Sequence, residues 1–458
     1  MSIVSFSAAQ KNVRPLLIRG GGVITMDPAV GDLLTADIHV RDGVIVEIGH
    51  NLEVADAEVI DASAMIVMPG FIDSHRHLWE GVIRNALPSE DLNGYFMTVN
   101  KGFALAYEPD DVYLGTLVSA IGALEAGITT VFDWAHIQTS PDHTRASIAA
   151  LRESGIRAVF GYGPPDVQDR GHQWPHGLLS LQKEEFSSTD QLLTLALAGY
   201  SPEHVPDEMA KGLFKLARDA GVIMTAHAGL NGMGEPNQIE RFGKEGLLGP
   251  DVNLVHCNTL SAADWRQIAD TGTSVSITAS TEMQMGQGVP PIQNAVDVGV
   301  RPSLGVDVET SVPNDMWTQM RTVFALQRSN ALELHFAGKT APALIEVADM
   351  LEYATIGGAV ATRLDAKVGT LSPGKQADII LLRADMLNVM PVNDMKSAVV
   401  LNMDARNVDT VLVAGRIVKR DGKMIGVDMR QLASRLYASR DRVYAAYGKP
   451  PKSPVHRM

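Results

Sequence analysis

The middle of the chain alternates short apolar, β-branched runs with longer segments of helical spacing. Eight of the apolar runs have the length of strands, and they are residues 66–71, 129–134, 157–162, 193–197, 222–226, 253–255, 274–279 and 302–306. Helical segments such as residues 109–126, 142–154 and 208–220 lie between many of them. Continuous apolar strands separated by helices are typical of parallel strands covered on their outer face, and eight such units predict a (β/α)₈ barrel.

The two ends of the chain carry a different pattern, in which short strands are joined by tight turns without helices. These strands are residues 15–24, 37–40 and 44–48 before the barrel, and 408–413 and 416–418 after it. Because both ends carry hairpin signals, we expect one small β domain assembled from both termini, with the barrel inserted between its halves. The alternative is two independent β appendages.

These patterns divide the chain into four parts. We predict the N-terminal part of the β domain at residues 14–65, the barrel at 66–366 and the C-terminal part of the β domain at 367–425. Residues 426–458 form a tail, in which residues 429–447 have helical spacing and an Arg-rich polar face. A docked terminal helix explains that face better than a binding function.

Composition and charge limit the partners that we expect. The 458 residues carry a formal net charge of −14 without an offsetting basic run, so nucleic acid and anionic membranes would repel the chain. The segment before Arg14 is polar, and no run approaches the ~20 apolar residues that span a bilayer. One cysteine, Cys257, excludes an intrachain disulfide and suits a reducing compartment. We expect a cytoplasmic protein without nucleic-acid or membrane partners.

Histidines and one aspartate follow the apolar runs at the end where a barrel places its chemistry. His75 and His77 follow the first run, and because side chains two residues apart on a strand share a face, both can reach one metal ion. His227 follows the fifth run, His256 the sixth and Asp307 the eighth. Imidazoles with a carboxylate suit a divalent metal in a hydrolytic site, best Zn²⁺, with Fe²⁺, Mn²⁺ or Co²⁺ as alternatives.

The same residues have distinct catalytic roles in this interpretation. A metal would lower the pKa of bound water from about 15.7 to about 7. Asp307 is suited to orient that water and to take its proton, and His256 to hold the water or to stabilise charge on the substrate. Glu282, just beyond the seventh run, is a further catalytic candidate, and the alternative for it is a solvated glutamate in a loop.

Three longer motifs carry a family resemblance, and they are MPGFIDSH at residues 68–75, EAGITTV at 125–131 and GTLSPGKQAD at 369–378. With the strand-end histidines and aspartate, they resemble the amidohydrolase superfamily, in particular its cytosine deaminases, guanine deaminases and triazine hydrolases. The resemblance covers most of the chain. It implies an α/β fold, a distorted (β/α)₈ TIM barrel with a small composite β-sandwich domain built from both termini, and a homo-oligomer. It also implies that His75, His77, His227 and Asp307 hold one metal, with His256 beside the water.

The chain departs from the family pattern at one position. Deaminases of this branch usually carry a proton-shuttling Glu three residues after the strand-five histidine, and here that position is Leu230. Because leucine cannot transfer a proton, Glu282, Asp133 and Glu309 compete for the missing role. Residues 191–199, the candidate for strand four, contain no lysine to bridge a second metal, so we expect one metal per chain.

Aromatic residues near the strand ends suggest the lining of a pocket. We expect Trp79, Trp134 and Trp174 to contact substrate, and residues 163–182, rich in Gly, Pro and His, to form a lid. Such a lining favours a flat, neutral substrate. No G-x-G-x-x-G follows a strand, so we expect no nucleotide cofactor.

The sequence therefore predicts a mononuclear metal-dependent hydrolase that cleaves a C–N bond by metal-bound hydroxide. Its partners would be water and a neutral heterocyclic or aromatic small molecule, which it would deaminate. The alternative is hydrolysis of an amide, urea, carbamate or thiocarbamate at the same site, which Leu230 favours because acyl chemistry depends less on protonating a ring nitrogen. A third hypothesis is a non-catalytic barrel that acts as a binding protein.

Overall fold

The computed structural model of the chain describes residues 3–4, 14–165, 171, 173–231 and 237–448. The strands of this part of the chain form two sheets. In chain order they are β1 (Leu16–Val23), β2 (Leu33–Arg41), β3 (Val44–Gly49), β4 (Glu58–Asp61), β5 (Met65–Pro69), β6 (Phe71–Arg76), β7 (Ile128–Ala135), β8 (Arg157–Tyr162), β9 (Leu193–Gly199), β10 (Ile223–Ala228), β11 (Val252–His256), β12 (Ser274–Ile277), β13 (Ser303–Leu304), β14 (Ile379–Arg383), β15 (Val408–Val413), β16 (Arg416–Arg420) and β17 (Lys423–Met424).

Most of the α-helices lie between the strands of the sheet formed by β6 to β13, as the sequence pattern predicts. In chain order they are α1 (Leu92–Tyr95), α2 (Pro109–Glu125), α3 (Pro141–Ser154), α4 (Leu178–Glu185), α5 (Asp207–Ala220), α6 (Gln238–Lys244), α7 (Ala262–Thr271), α8 (Ala279–Met285), α9 (Ile292–Asp297), α10 (Met316–Phe336), α11 (Val347–Glu352), α12 (Gly358–Ala361), α13 (Met395–Ser397) and α14 (Met429–Tyr447). None of these helices is both long and apolar enough to cross a membrane.

Helix α5 shows how the sequence builds the outer layer. Its buried residues are Ala210, Leu213, Phe214 and Ala217, which recur at the spacing of one helical face. Gly221 ends the helix with a φ of 67°, a conformation that favours glycine, and the next strand follows. The helix therefore covers the sheet with one apolar face and turns its charged face to solvent.

Strands β6 to β13 form a parallel sheet in the order of the sequence. The sheet closes at its carboxyl end, where Arg76 and Asp307 form a parallel bridge. The N–H of Asp307 donates to the carbonyl of His75, and the N–H of His77 donates to the carbonyl of Asp307, both over 2.9 Å. The predicted (β/α)₈ barrel is confirmed, and its first and last strands meet at candidate metal ligands.

The start of the barrel differs from the prediction, which placed its first strand at residues 66–71. In the structure Met65–Pro69 is β5 of the other sheet, and the first barrel strand is Phe71–Arg76. Gly70 makes the change of sheet: its N–H donates to the carbonyl of Asp378 over 3.0 Å, and a Cβ there would collide with Thr129. Both strands are buried, so hydrophobicity alone did not mark the boundary between them.

The other sheet has nine strands from both termini, in the order β17-β16-β15-β14-β5-β1-β2-β3, with β4 beside β1. Apolar side chains from both halves share one core cluster, which includes Leu16, Ile18, Ile38, Ile379, Leu381 and Leu412. Strand β5 joins the halves because it pairs with β1 in parallel and with β14 in antiparallel orientation. The prediction of one β domain built from both termini is confirmed, and two independent appendages are excluded.

Helix α14 packs beside the barrel entrance. The ring of Phe103 lies 4.9 Å from that of Tyr444 and 4.4 Å from that of Tyr447, between centroids. Ser439 donates a hydrogen bond to the buried carboxylate of Asp111, at the start of α2. The helix thereby supports residues 92–106, which form one wall of the cavity described below.

Candidate active site

Four of the predicted ligands converge at the carboxyl end of the barrel. Nε2 of His75 lies 3.3 Å from Nε2 of His227 and 3.2 Å from Oδ1 of Asp307. Nε2 of His77 lies 3.3 Å from the same carboxylate oxygen. The ligand atoms of His75, His77 and His227 lie within 4.8 Å of one another, and so do those of His75, His256 and Asp307. This donor set, imidazoles with one carboxylate, fits a divalent metal.

Metal binding requires neutral imidazoles and an ionised carboxylate, and burial and hydrogen bonding favour these forms in His75, His227 and Asp307 but not in His77. Burial lowers the pKa of His75 to about 4 and that of His227 well below its usual value. Burial acts the same way on His77, but its hydrogen bond with Asp307 outweighs this and raises its pKa. Burial opposes ionisation of Asp307, yet the bonds from His75 and His77 hold its pKa well below the usual range.

The backbone places two of these side chains in an uncommon conformation. Asp307 has a φ of 71° and His256 a φ of 75°, the left-handed region that non-glycine residues rarely adopt. Gly305 lies against β6, and a Cβ on it would be 2.7 Å from the carbonyl oxygen of His75. Residues held in such conformations cluster at functional sites, where the surrounding structure stabilises them.

Arg76, the last residue of β6, lies between His75 and His77 in the sequence and is fully buried. It forms an ion pair with Asp73 at 3.1 Å and a second with Glu309. Arg84 binds the other oxygen of Glu309. Burial opposes ionisation of Glu309, but the two arginines lower its pKa to about 2. This network holds β6 against the segment after Asp307.

Glu282 and His256 form a second buried pair beside the cluster. Oε1 of Glu282 lies 3.2 Å from Nδ1 of His256 and accepts the N–H of Thr278 over 2.7 Å. Its other oxygen accepts a hydrogen bond from Asn258 over 3.0 Å. A carboxylate fixed in this way orients the imidazole, so that Nε2 of His256 faces the cluster.

His77, His227, His256 and Asp307 line a cavity with about 720 Å³ of space outside protein atoms, part of it continuous with solvent. Apolar and aromatic side chains dominate its wall, and they are Leu92, Tyr95, Phe96, Trp134, Pro164, Tyr200, Leu230, Met285 and Val308. Polar side chains complete the lining: Asn100, His136, Ser201, His204 and Gln287. Asp307 is the one carboxylate among the described lining residues, and none of them is Lys or Arg.

The sequence profile of the amidohydrolase family matches residues 66–418. The chain belongs to the amidohydrolase family. The match covers the barrel and, of the C-terminal strands of the β domain, β14, β15 and part of β16, so the resemblance predicted from the motifs is confirmed. Together with deaminase relatives, it identifies a metal-dependent hydrolase acting on carbon–nitrogen bonds.

Two relatives named as deaminases match nearly the whole of this amidohydrolase. The 5'-deoxyadenosine deaminase of Methanosarcina barkeri is 27% identical over 452 residues, covering 91% of this chain and 95% of the relative. The 5-methylthioadenosine/S-adenosylhomocysteine deaminase of Pyrococcus furiosus is 26% identical and covers 92% and 99%.

Solved structures show the same fold. An adenosine deaminase from Xanthomonas campestris with bound zinc superposes with a TM-score of 0.82 at 22% identity, covering 94% of this chain and 98% of that one. An atrazine chlorohydrolase from Arthrobacter aurescens, complexed with zinc, gives a TM-score of 0.80 at 22% identity, covering 93% and 100%.

The three carboxylates that compete for the missing proton carrier of this amidohydrolase lie outside the cavity lining. Leu230 itself lines the cavity. The seventh strand ends at Ile277, and Glu282 is on the helix that follows it, α8, where its side chain is fully buried. The alternative of a solvated glutamate in a loop is therefore wrong. Glu309 is held by arginines, and Asp133 accepts the N–H of Leu78 over 3.2 Å, with burial raising its pKa to about 7.

The three tryptophans take different positions. Trp134 lines the cavity, and its carbonyl accepts a hydrogen bond from Nδ1 of His77 over 2.8 Å. Trp79 does not line the cavity; it is fully buried against His136, at 5.1 Å between ring centroids. Trp174 is also outside the lining and packs on Tyr200 at 5.0 Å. Within the expected lid, residues 166–170 and 172 lie outside the described residues.

Sequence reasoning missed the polar residues that complete the lining, which are Asn100, His136, Ser201, His204 and Gln287. His136 follows strand β7 directly, the same strand-end position that identified the other histidines, and that signal could have found it. Gln287 follows helix α8 without a strand or motif beside it, so nothing in the local pattern marks it.

Proposed function

We propose that the chain is a single-metal hydrolase that releases ammonia or an amine from a neutral amino-substituted heterocycle. The observation that carries this proposal is the convergence of His75, His77, His227 and Asp307, the last three of which line a cavity with aromatic walls. The lining lacks Lys and Arg among its described residues, which disfavours an anionic substrate. Relatives named as deaminases of adenosine derivatives support the same substrate class.

In this mechanism Asp307 has two tasks, metal binding and proton transfer, and each of the other residues has one. A divalent metal, best Zn²⁺ and alternatively Fe²⁺, Mn²⁺ or Co²⁺, held by His75, His77, His227 and Asp307, would lower the pKa of water and supply a nucleophile near neutral pH. The carboxylate of Asp307 is ionised and accepts a hydrogen bond from the hydroxyl of Thr278 over 3.4 Å. In the reaction this carboxylate accepts the proton of the water. His256, oriented by Glu282 through Nδ1, stabilises charge on the substrate through Nε2.

Substrate contacts belong mainly to Trp134 among the predicted tryptophans. Trp134 is in the wall of the cavity, whereas Trp79 and Trp174 support wall residues from behind, His136 and Tyr200 respectively.

The first experiment measures metal content in freshly purified protein, in the His227→Ala variant and in a control, His335→Ala, at an exposed position of α10. About one divalent ion per chain, retained in the control and lost in His227→Ala, supports the site. Two ions per chain contradict the single-metal assignment. A chain that refuses zinc, iron, manganese and cobalt contradicts the enzyme and favours the non-catalytic barrel.

The second experiment identifies the products released from aminopurine nucleosides, including 5'-deoxyadenosine, and from amides, ureas and carbamates. A ring carbonyl with an equivalent of ammonia or amine supports deamination. A carboxylate or carbon dioxide with an amine supports the alternative, which the leucine at position 230 favours because the lining offers no second carboxylate among its described residues.

The proposal also includes a cytoplasmic location and a homo-oligomer. The single cysteine, Cys257, is free and buried, which suits a reducing compartment. Light scattering on the purified chain tests the assembly, and a monomeric mass contradicts it.

A further inference from the structure

Three buried polar atoms of the cavity lining have no hydrogen-bond partner among the described residues. They are Nε1 of Trp134, Nε2 of His136 and Oε1 of Gln287, on side chains that are 5%, 5% and 4% exposed. Leaving such an atom unpaired costs about 1–3 kcal/mol. Native structures tolerate this where a ligand completes the bonds, so these atoms indicate how the cavity recognises its ligand.

Gln287 is held rigidly by its backbone. Its N–H donates to the carbonyl of Glu282 over 2.9 Å, and its carbonyl accepts the N–H of Asn231 over 2.7 Å. The next residue, Gly288, has a φ of 139°, and a Cβ there would collide with Asn258. The carboxamide is therefore presented from a fixed turn that also contacts Asn231, the neighbour of Leu230.

Trp134 offers a donor of fixed character, because an indole N–H cannot accept. Its ring lies 4.5 Å from that of His227 and 5.5 Å from that of His77, between centroids, so the indole is directly beside the metal cluster. The role of His136 is less defined, because its Nδ1 lies 3.4 Å from both a donor, Trp79 Nε1, and an acceptor, the carbonyl of Trp134.

We propose that Gln287 and Trp134 select the substrate: the carboxamide of Gln287 pairs with an amidine edge of the heterocycle, and the indole N–H of Trp134 binds another acceptor. In an amidine edge a ring nitrogen accepts from the amide N–H while the adjacent amino group donates to the amide oxygen. Carboxamides pair with adenine through the same combination of one donor and one acceptor. This inference rests on the proposed function and narrows its substrate class to heterocycles with a ring nitrogen beside an amino-bearing carbon, as in 6-aminopurines.

The proposal also places a hydrogen-bond donor where the family's proton carrier is missing. Glutamine cannot transfer a proton, but its N–H stabilises negative charge that develops on the ring nitrogen during attack. Gln287 thus positions and polarises the substrate, and the proton itself must come from elsewhere in the site.

The test compares the metal-loaded wild type with Gln287→Leu, Trp134→Phe and a matched control, Gln284→Leu. Gln284 is three residues before Gln287, on helix α8, but its carboxamide is exposed and donates to the carbonyls of Pro88 and Ser311. We expect KM for a 6-aminopurine nucleoside to rise about tenfold in Gln287→Leu and about fivefold in Trp134→Phe, with no change in the control. We expect the Tm of Gln287→Leu to be unchanged or raised, because the variant removes an unpaired buried oxygen.

An analogue with C–H in place of the ring nitrogen beside the amino-bearing carbon sharpens the test. As competitors of the turnover of another aminopurine nucleoside, the amino-bearing analogues with and without that nitrogen should differ about tenfold in Ki for the wild type and not at all for Gln287→Leu. Equal Ki differences in both proteins, or an activity loss in Gln287→Leu that follows a lowered Tm, overturn the inference alone. Absence of amine release by the wild type from every heterocycle overturns the proposed function and this inference with it.

Discussion

Oε1 of Glu282 lies 3.2 Å from Nδ1 of His256, and both side chains are buried beside the candidate metal cluster. The N–H of Thr278 and the side chain of Asn258 both donate hydrogen bonds to this carboxylate and hold it in place. Its role is therefore to orient the imidazole of His256. A residue that acts through another in this way is a positioning residue.

Replacement of Glu282 should therefore impair turnover without emptying the metal site. We expect Glu282→Gln to lower kcat about 10- to 100-fold, because the charge that holds Nδ1–H of His256 is lost. Metal content by elemental analysis should match the wild type. The control is Glu184→Gln, at an exposed position of α4. Full activity of Glu282→Gln would show that the pair is only structural.

The buried Arg76 should be among the most sensitive positions for stability. Removing one partner of a buried ion pair costs about 3–5 kcal/mol, because the opposite charge stays buried and unpaired. Arg76→Met leaves Asp73 without its ion-pair partner and leaves Glu309 with Arg84 alone, and we expect a loss of that size in the free energy of unfolding. Arg84→Met, which removes a partly exposed partner of Glu309, should cost less. Denaturant titration of both variants measures the difference, and equal losses contradict the interpretation.

Glu203 should make stability depend on pH. Burial raises the pKa of Glu203 to about 7 against a hydrogen bond from Gly229 that lowers it. The folded state therefore keeps a proton on Glu203 that the unfolded state loses near pH 4.5. The contribution of this proton to the free energy of unfolding is complete below pH 4.5 and is lost as the pH rises through about 7.

Glu203→Gln removes this titration. Its free energy of unfolding, relative to that of the wild type, should rise between pH 4.5 and 8 by up to about 3 kcal/mol at the upper end. Glu208→Gln, at an exposed position of α5, is the control. A parallel pH dependence in Glu203→Gln and the wild type contradicts the assignment.

Leu230→Glu should supply the proton carrier that the cavity lacks. Leu230 lines the cavity, so a carboxyl group there can reach the bound heterocycle. We expect kcat for release of a poor leaving amine to rise at least tenfold, because a positioned acid or base contributes about 10²–10⁴. Leu230→Gln has the same shape without a transferable proton and should show no gain. Identical rates for the two variants would mean that proton transfer does not limit this enzyme.

Much of the site followed from the sequence because barrel geometry converts order along the chain into position in space. Strands of a parallel barrel end on one face, so histidines and an aspartate at the ends of apolar runs have to meet. His75 is on β6 and His77 directly follows its last residue, so the two side chains, two residues apart, reach the same cluster. Neither inference needs a side-chain contact, and the structure brings these residues together as expected.

Other features depended on contacts between distant segments. The boundary at Gly70 is set by a carbonyl of Asp378 and by Thr129, neither of which is near it in sequence. The sequence by itself determined the barrel, the composite β domain and the convergence of the metal-ligand candidates, because these follow from local periodicity and strand direction. Only the tertiary structure decided that Glu282 is buried against His256, that Trp79 is behind the cavity wall and that Gln287 is in it, because burial and partners of a side chain depend on which remote elements pack around it.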